Sequence, residues 1–435
     1  MKIRFYHARI LTMKEKEAVF EGEVHIKDDR IVYVGTAKDA PKDSWDREID
    51  ANGNLLMPGF KNAHTHSAMT LLRSYADDLS LQDWLYQKVF PIESRLTDDA
   101  IYWGSVLAIM EYLSGGITAG FDMYMRCEHT ARASLDTGFR MVFCGSVNDF
   151  TGSVPQMEED YYRYNDEKAD LLSYQLGFHA EYTTKREILE QIAALSQKLK
   201  APVYMHNSET KKEVEECKKR YGKTPMTFLD SIGMFEYGGG GFHCVHMTKE
   251  DMLLCQKKKI WVITNPSSNC KLASGIAPIQ EMDAMGISLA IGTDGAASNN
   301  CLDMFREMFL VTGLQKLRCK DAAAMDANRV LQMATTGSAH AMGLDECDTL
   351  EAGKKADMIL IDLACPNMQP IHNITKNLVY SGSKQNIKMT MINGRILYED
   401  GHYHIGVEEK EVYQMIFHSH HLLPFLHTHS CHLRW

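Results

Sequence analysis

The chain is predicted to fold as a (β/α)8 TIM barrel carrying a small β-sandwich domain built from both chain ends. Three observations predict it. Eight short β-like runs punctuate the middle of the chain, most of them separated by longer helix-like stretches. Both ends of the chain read as strands. The 435 residues exceed the ~100–200 of an ordinary domain and suit a barrel of ~250 with an added unit.

The elements follow in order. Glu23-Val-His-Ile-Lys27 alternates polar and apolar, Asp28-Asp-Arg30 is a turn, and Ile31-Val-Tyr-Val-Gly35 returns as a strand. The eight middle runs are residues 55–60, 117–121, 141–147, 174–178, 203–205, 242–245, 260–264 and 288–291. The pattern from Thr97 to Gly116 shows why the stretches between them read as helices. Thr97 can cap it, Asp98 and Asp99 sit in the first turn, and Gly115-Gly116 stops it. Near the end, residues 356–362 and 389–398 are strand-like, and Asn393-Gly394 signals a hairpin turn. The expected organisation is therefore residues 1–57 and 352–416 in the β-sandwich and C-terminal segment, with 58–351 in a metal-dependent barrel. Residues 417–435 contain six histidines and read as a loosely packed tail with adventitious metal affinity.

An open doubly wound sheet is the alternative topology. No Gly-x-Gly-x-x-Gly follows an early strand, which weakens a dinucleotide-binding version of it. The four glycines at 238–241 read as a loop before a strand, not as a phosphate cradle.

Composition narrows the function classes. The hydrophobic fraction is 45% and the charged fraction 24%, both ordinary for a soluble globular chain. The formal net charge of −10 argues against nucleic acid or an anionic membrane as main partner. The eleven cysteines include no Cys-x-x-Cys pair, so zinc-ribbon and thioredoxin readings fail. No apolar run suits a signal peptide or a membrane span. A cytoplasmic location with free, mostly buried cysteines is the expectation. Apolar loops point weakly to a homo-oligomer.

In a barrel, chemistry sits at the carboxyl ends of the strands. His64 and His66 follow the first run, His179 the fourth, His206 and Glu209 the fifth, His243 and His246 the sixth, and Asp294 the eighth. Residues two apart on an extended chain point the same way, so His64 and His66 can face one ion. Each of these is bland alone: a strand-end histidine is commonly a satisfied polar residue, and Asp294-Gly295 alone is a turn. Their joint placement is what argues for a metal. Three histidines and one aspartate suit a catalytic Zn2+, one per chain, with a position left for water. Leu176-Gly-Phe-His179 holds no lysine that could bridge a second metal.

The stretches MPGFKNAHTHSAMTLLRSYADDLSLQDWLYQKVFPIESRLT, VYMHNSET, FHCVHMT, TNPSSNCKLASGIAPIQEM and IGTDGAASNN resemble the amidohydrolase superfamily, in its mononuclear deaminase branch. They are most similar to the 5′-methylthioadenosine/S-adenosylhomocysteine deaminases, and the resemblance runs to about residue 410. It implies metal ligation by His64, His66, His206 and Asp294. It implies that Glu209 relays a proton to the ring nitrogen and that Asp294 takes the proton of the attacking water. His243 then orients that water, Glu93 binds the ribose hydroxyls, and His179 contacts the nucleoside. His246 is then structural. Trp84 either lines the pocket or is plain core, and a solvated loop acid is the bland reading of Glu93. The implied function is hydrolytic deamination of 5′-methylthioadenosine, 5′-deoxyadenosine, adenosine or S-adenosylhomocysteine to the inosine analogue and ammonia.

One departure bears on the substrate. The family pattern has two arginines that help hold an anionic tail, and Gly145 and Met157 stand near those positions here. Arg163 follows later in the chain. A smaller or uncharged 5′ group is therefore comparatively favoured. The rival readings are a deaminase or chlorohydrolase of the same superfamily acting on a free base, pterin or triazine, and a metal-free scaffold built on the barrel.

Overall fold

A computed structural model describes residues 1–15, 17–166 and 170–421. Eight parallel strands form the barrel sheet. They are Phe60–Thr65, Ile117–Asp122, Arg140–Cys144, Leu172–Ala180, Val203–Asn207, Gly239–His243, Trp261–Thr264 and Leu289–Ile291. Each pairs with the next in parallel register. The last strand meets the first through a few bonds at their ends. Asp294 N–H donates to the His64 carbonyl at 2.9 Å. Thr293 N–H donates to Asn62 Oδ1 at 2.8 Å, and Asn62 Nδ2 donates to Thr293 Oγ1 at 2.7 Å.

The barrel interior alternates small and large side chains. Ala63, Ala119 and Ala290 leave room for Phe121, Tyr204 and Phe242, as a tapering closed sheet requires. The glycines expected as a loop are part of this arrangement. Gly239–His243 is a strand, because a Cβ on Gly240 would lie 2.6 Å from the Tyr204 ring and one on Gly239 only 2.0 Å from the Val203 carbonyl oxygen. Composition made these residues look like a turn, and close packing against the fifth strand made them a strand.

The helix expected after Thr97 spans Asp98–Ser114, with the Thr97 hydroxyl accepting from Ala100 N–H at 3.1 Å. Its buried face packs on the barrel with Tyr112, Ile109 and Val106.

Both chain ends meet in a second, mixed sheet of nine strands. Lys2–Ile10 pairs in parallel with Leu55–Pro58, which pairs antiparallel with Met358–Ile361 from the far end of the chain. Ile387–Ile392 and Arg395–Glu399 form the predicted hairpin. Asn393 (φ 53°) and Gly394 (φ 72°) both take the left-handed conformation such a turn requires. The buried face of the sheet carries Ile3, Phe5, Val24, Ile26 and Leu360.

Two expectations about element ends need correction. Residues 55–60 are not one barrel strand: Leu55–Pro58 belongs to the mixed sheet, and the barrel strand starts at Phe60. The apolar run is continuous across the boundary, and periodicity carries no information about a change of partner. Gly59 makes the switch, since a Cβ there would lie 2.1 Å from Thr118 Cγ2. The segment expected as a tail also starts within a helix. A helix, Glu409–His421, runs into it and packs on Asp98–Ser114, burying Val412 and Ser419 seven residues apart. Residues 422–435, the larger part of the predicted histidine-rich tail, lie outside the described residues. Among the described residues no helix is long and apolar enough to cross a membrane. Six of the ten described cysteines are buried, and all ten are free thiols.

A buried ion pair ties the two sheets together. Arg140, at the start of the third barrel strand, donates from Nε to Asp357 Oδ2 at 2.6 Å and from Nη2 to Oδ1 at 3.1 Å. Asp357 also accepts from Asn393 N–H at 2.7 Å. Burial works against the Asp357 charge, and Arg140 outweighs it and holds the carboxyl below the usual range. Replacing one partner leaves the other as a buried lone charge. Arg140→Met is expected to cost about 3–5 kcal/mol of stability, read from denaturant unfolding. A loss below about 1 kcal/mol would mean the pair is idle.

Candidate metal centre and active site

The first strand carries His64 inside it and places His66 just beyond its end. Their ring centroids are 4.8 Å apart, and that of His206, on the fifth strand, is 4.9 Å from that of His64. Asp294 follows the eighth strand. One ligand atom from each of these four lies within 4.8 Å of all the others, and all four residues are buried.

The surroundings set which atom each presents. His66 Nδ1–H donates to the Met123 carbonyl at 2.5 Å, and His206 Nδ1–H donates to the His179 carbonyl at 2.7 Å. Each imidazole then aims Nε2 inward, the atom that would meet a cation once it carries no proton. His64 lies against the Phe242 ring at 3.8 Å between centroids, and neither of its ring nitrogens has a hydrogen-bond partner. A fully buried imidazole without partners is costly unless something else binds it. Asp294 is fixed by three donors: Gly295 N–H at 2.8 Å to Oδ1, and the Ser268 and Ser298 hydroxyls at 2.6 and 2.8 Å to Oδ2. The donor set fits a divalent cation.

The charges tell the same story. Burial pushes His64 down to about 3 and His206 well below the usual imidazole value. Burial also opposes a charge on His66, but the Asp294 carboxylate outweighs it and lifts His66 to about 9. The one anion of the cluster thus holds a proton on its nearest imidazole, 3.1 Å away. A cation would take that proton's place.

Two further groups face the cluster. His243, at the end of the sixth strand, has Nδ1 2.8 Å from Asn269 Oδ1. Its Nε2 is 3.8 Å from Glu209 Oε2 and 4.0 Å from Asp294 Oδ2. Glu209 is buried, and burial raises its carboxyl above the ordinary value. Left-handed backbone recurs here at Ser208 (φ 51°), His243 (φ 70°) and Asp294 (φ 62°). Such strain in non-glycine residues gathers at functional sites.

These groups open into a cavity of about 440 Å3, within the range that encloses small ligands. Glu93, Trp84 and His179 line it together with His66, Glu209, His243 and Asp294. The bland reading of Glu93 as a solvated loop acid fails, because Glu93 is 4% exposed and its Oε1 has no hydrogen-bond partner. Burial pushes its carboxyl up to about 7, against the opposing pull of Tyr124 and His66. His179 Nδ1 lies 2.8 Å from Thr183 Oγ1. His246 stays outside the cavity lining and bonds the Ser274 carbonyl at 2.7 Å.

Sequence reasoning missed the residues that hold the cluster in place: Ser268, Ser298, Asn269 and Ser274. For the first three the signal was present as runs of small polar residues, Thr264-Asn-Pro-Ser-Ser-Asn269 and Ala296-Ala-Ser-Asn299, beyond two barrel strands, and Ser274 lies in neither run. Gly145 and Met157 adjoin each other, since a Cβ on Gly145 would lie 2.7 Å from Met157 Sδ. Arg163 lines a neighbouring cavity, 3.8 Å from Asp160.

Residues 55–397 match the amidohydrolase family. The chain belongs to that family. Among amidohydrolase relatives, it is 39% identical over 407 residues to a 5-methylthioadenosine/S-adenosylhomocysteine deaminase of Syntrophomonas wolfei, covering 92% of this chain and 94% of that one. It is 37% identical over 423 residues to an enzyme of the same description from Thermoanaerobacter pseudethanolicus, covering 95% and 98%. A zinc-bound crystal structure of an adenosine deaminase from Xanthomonas campestris superposes with a TM-score of 0.92 at 31% identity, covering 98% of each chain. An atrazine chlorohydrolase from Arthrobacter aurescens at 21% identity and TM-score 0.89 shares the fold.

A raised carboxyl favours the protonated acid in the folded state. Below the ordinary value of 4.5 Glu93 is protonated folded and unfolded alike, and the stability it contributes is lost as pH rises through about 7. Glu93→Gln is therefore expected to raise the melting temperature of the ligand-free enzyme at pH 8, with a gain that shrinks as the pH falls toward 5. An unchanged melting temperature at pH 8 would contradict the assigned burial cost.

Proposed function

We infer that the protein is a metal-dependent hydrolase that deaminates adenosine-type nucleosides, releasing the inosine analogue and ammonia. One observation carries this reading: three of the four clustered donors, His66, His206 and Asp294, line one cavity with Glu209 and Glu93. The two relatives named above, described as deaminases, match more than nine-tenths of the chain, which supports it further.

His64, His66, His206 and Asp294 are the proposed ligands of one Zn2+. When bound, such a cation makes a water acidic enough to act as a nucleophile near neutral pH. The chain's own residues supply the rest. Asp294, beside His66 and held by two serine hydroxyls, takes the proton of the attacking water. His243, with Nδ1 at Asn269, keeps Nε2 aimed at the attacking oxygen. Attack on the ring carbon puts charge on the adjacent nitrogen. Glu209, whose raised carboxyl carries a proton more readily than an ordinary one, delivers it there. Asp294 passes the proton it took to the leaving amine, and the added hydroxyl returns its proton to Glu209 as the carbonyl forms, so water adds and ammonia departs. Glu93 accepts from the ribose hydroxyls, which satisfies its orphaned oxygen. His179 and Trp84 enclose the nucleoside.

Among the lining residues there is no lysine or arginine to pair a carboxylate, and the one carboxyl held ionised, Asp294, is itself an anion. An uncharged 5′ substituent therefore suits this cavity better than the S-adenosylhomocysteine tail, whose ammonium and carboxylate would both lose water with no lining cation to pair the carboxylate. With purified metal-loaded enzyme, 5′-methylthioadenosine is expected to exceed S-adenosylhomocysteine in kcat/KM by at least about tenfold, a difference of ~1.4 kcal/mol. Turnover is read as loss of adenine absorbance. Equal efficiency would remove the charge argument and leave the deaminase. Turnover of guanine or a pterin, with no adenosine analogue consumed, would remove the deaminase reading itself.

Elemental analysis gives a separate check. A chain shortened by the fourteen residues 422–435 is expected to keep about one tightly held zinc. His206→Asn should lose it, with a lower melting temperature, because metal affinity stabilises only the folded state. Metal-free enzyme with full activity would end the metal assignment.

A further inference from the structure

The two carboxylate oxygens of Glu209 have different surroundings. Oε1 accepts from the Ser274 hydroxyl at 3.1 Å, and Oε2 faces His243 Nε2 at 3.8 Å. Ser274 is itself held from two sides. Its carbonyl accepts from His246 Nε2–H at 2.7 Å, and its N–H donates to the Asn269 carbonyl at 2.9 Å. His246 N–H donates to the carbonyl of Ser208, the residue before Glu209, at 2.8 Å. The next residue, Gly275 (φ 128°), allows the close approach: a Cβ there would lie 2.9 Å from Val245 Cγ1. The segment beyond the seventh strand is thus latched to the loop after the sixth, and that loop to the end of the fifth.

We propose that Ser274 and His246 are positioning residues for Glu209. The serine hydroxyl occupies Oε1 and leaves Oε2 as the oxygen that meets the substrate ring. The imidazole fixes the serine by gripping its carbonyl. This rests on the reading of Glu209 as the proton carrier, given above. A carboxylate that carries a proton to a ring atom must be held to within about 0.5 Å of its productive place. A hydroxyl engaged by one carboxyl oxygen fixes which oxygen stays free for that purpose. Part-buried His246 needs no contact with substrate to act, and together with Ser274 it lines a second cleft.

The test compares Ser274→Ala, Ser274→Thr, His246→Ala and His246→Gln in metal-loaded enzyme turning over 5′-methylthioadenosine. Ser274→Ala is expected to lower kcat about tenfold or more while KM stays within about threefold. Its melting temperature should stay close to that of the parent. Threonine keeps the hydroxyl and should restore kcat. His246→Ala should lower kcat as well, and glutamine, which keeps an Nε2–H donor, should restore it. In the Ser274→Ala background His246→Ala should add no further loss, because the two act in series. A fully active Ser274→Ala enzyme overturns the proposal. So does a loss that threonine fails to rescue and that follows a fall in melting temperature, or a loss from His246→Ala that adds to that of Ser274→Ala. Glu209→Gln separates the two levels. An inactive Glu209→Gln beside a fully active Ser274→Ala overturns the positioning alone, and an active Glu209→Gln overturns the reading of Glu209 and the positioning with it.

Discussion

The hydrogen bond from Asp294 N–H to the His64 carbonyl closes the barrel and builds its centre in one step. Among the described residues, no strand ladder joins Leu289–Ile291 to Phe60–Thr65. The seam rests on this bond and on the Asn62–Thr293 pair beside it. Asp294 can serve both ends because its backbone is left-handed, with φ at 62°. The N–H then points across the seam while the carboxylate turns inward to the imidazoles. A residue that ends the last strand in ordinary extended geometry would carry its side chain elsewhere.

The same cluster explains the unusual acids around it. Burial alone makes Glu93 and Glu209 reluctant to ionise, while Asp294, equally buried, stays ionised because His64 and His66 face it. Three carboxylates in one cavity are thereby separated in character by their neighbours rather than by their chemistry. That separation is what the proposed roles require, one carboxylate to hold a cation and another to carry a proton. The cost is met elsewhere in the fold, where apolar packing and the paired Arg140–Asp357 charges are undisturbed by function.

How much of this was legible in the sequence depended on the scale of the feature. The helix after Thr97 could be read because its cap, its acids and its terminal glycines are all local. The hairpin at Asn393-Gly394 could be read because two residues specify the turn. The clustering of four donors was legible because histidines and an aspartate recur at the ends of the first, fifth and eighth barrel strands. The strand through Gly239, Gly240 and Gly241 was not legible, since the reason for the glycines is Tyr204 and Val203 on a neighbouring strand. Nor was the division at Gly59, where one apolar run serves two sheets. The serines that hold Asp294 were visible only as polar runs. What each hydroxyl touches depends on contacts between loops tens of residues apart.

The imidazoles of His66 and His206 are oriented by main-chain carbonyls of Met123 and His179, and those carbonyls belong to the stretches that end the second and fourth strands. Each ligand is therefore aimed by a different part of the barrel wall from the one that carries it. A slip of one strand against another would rotate a ring while leaving all four donors in place. The spacing of the four donors is in that sense a gauge of strand alignment.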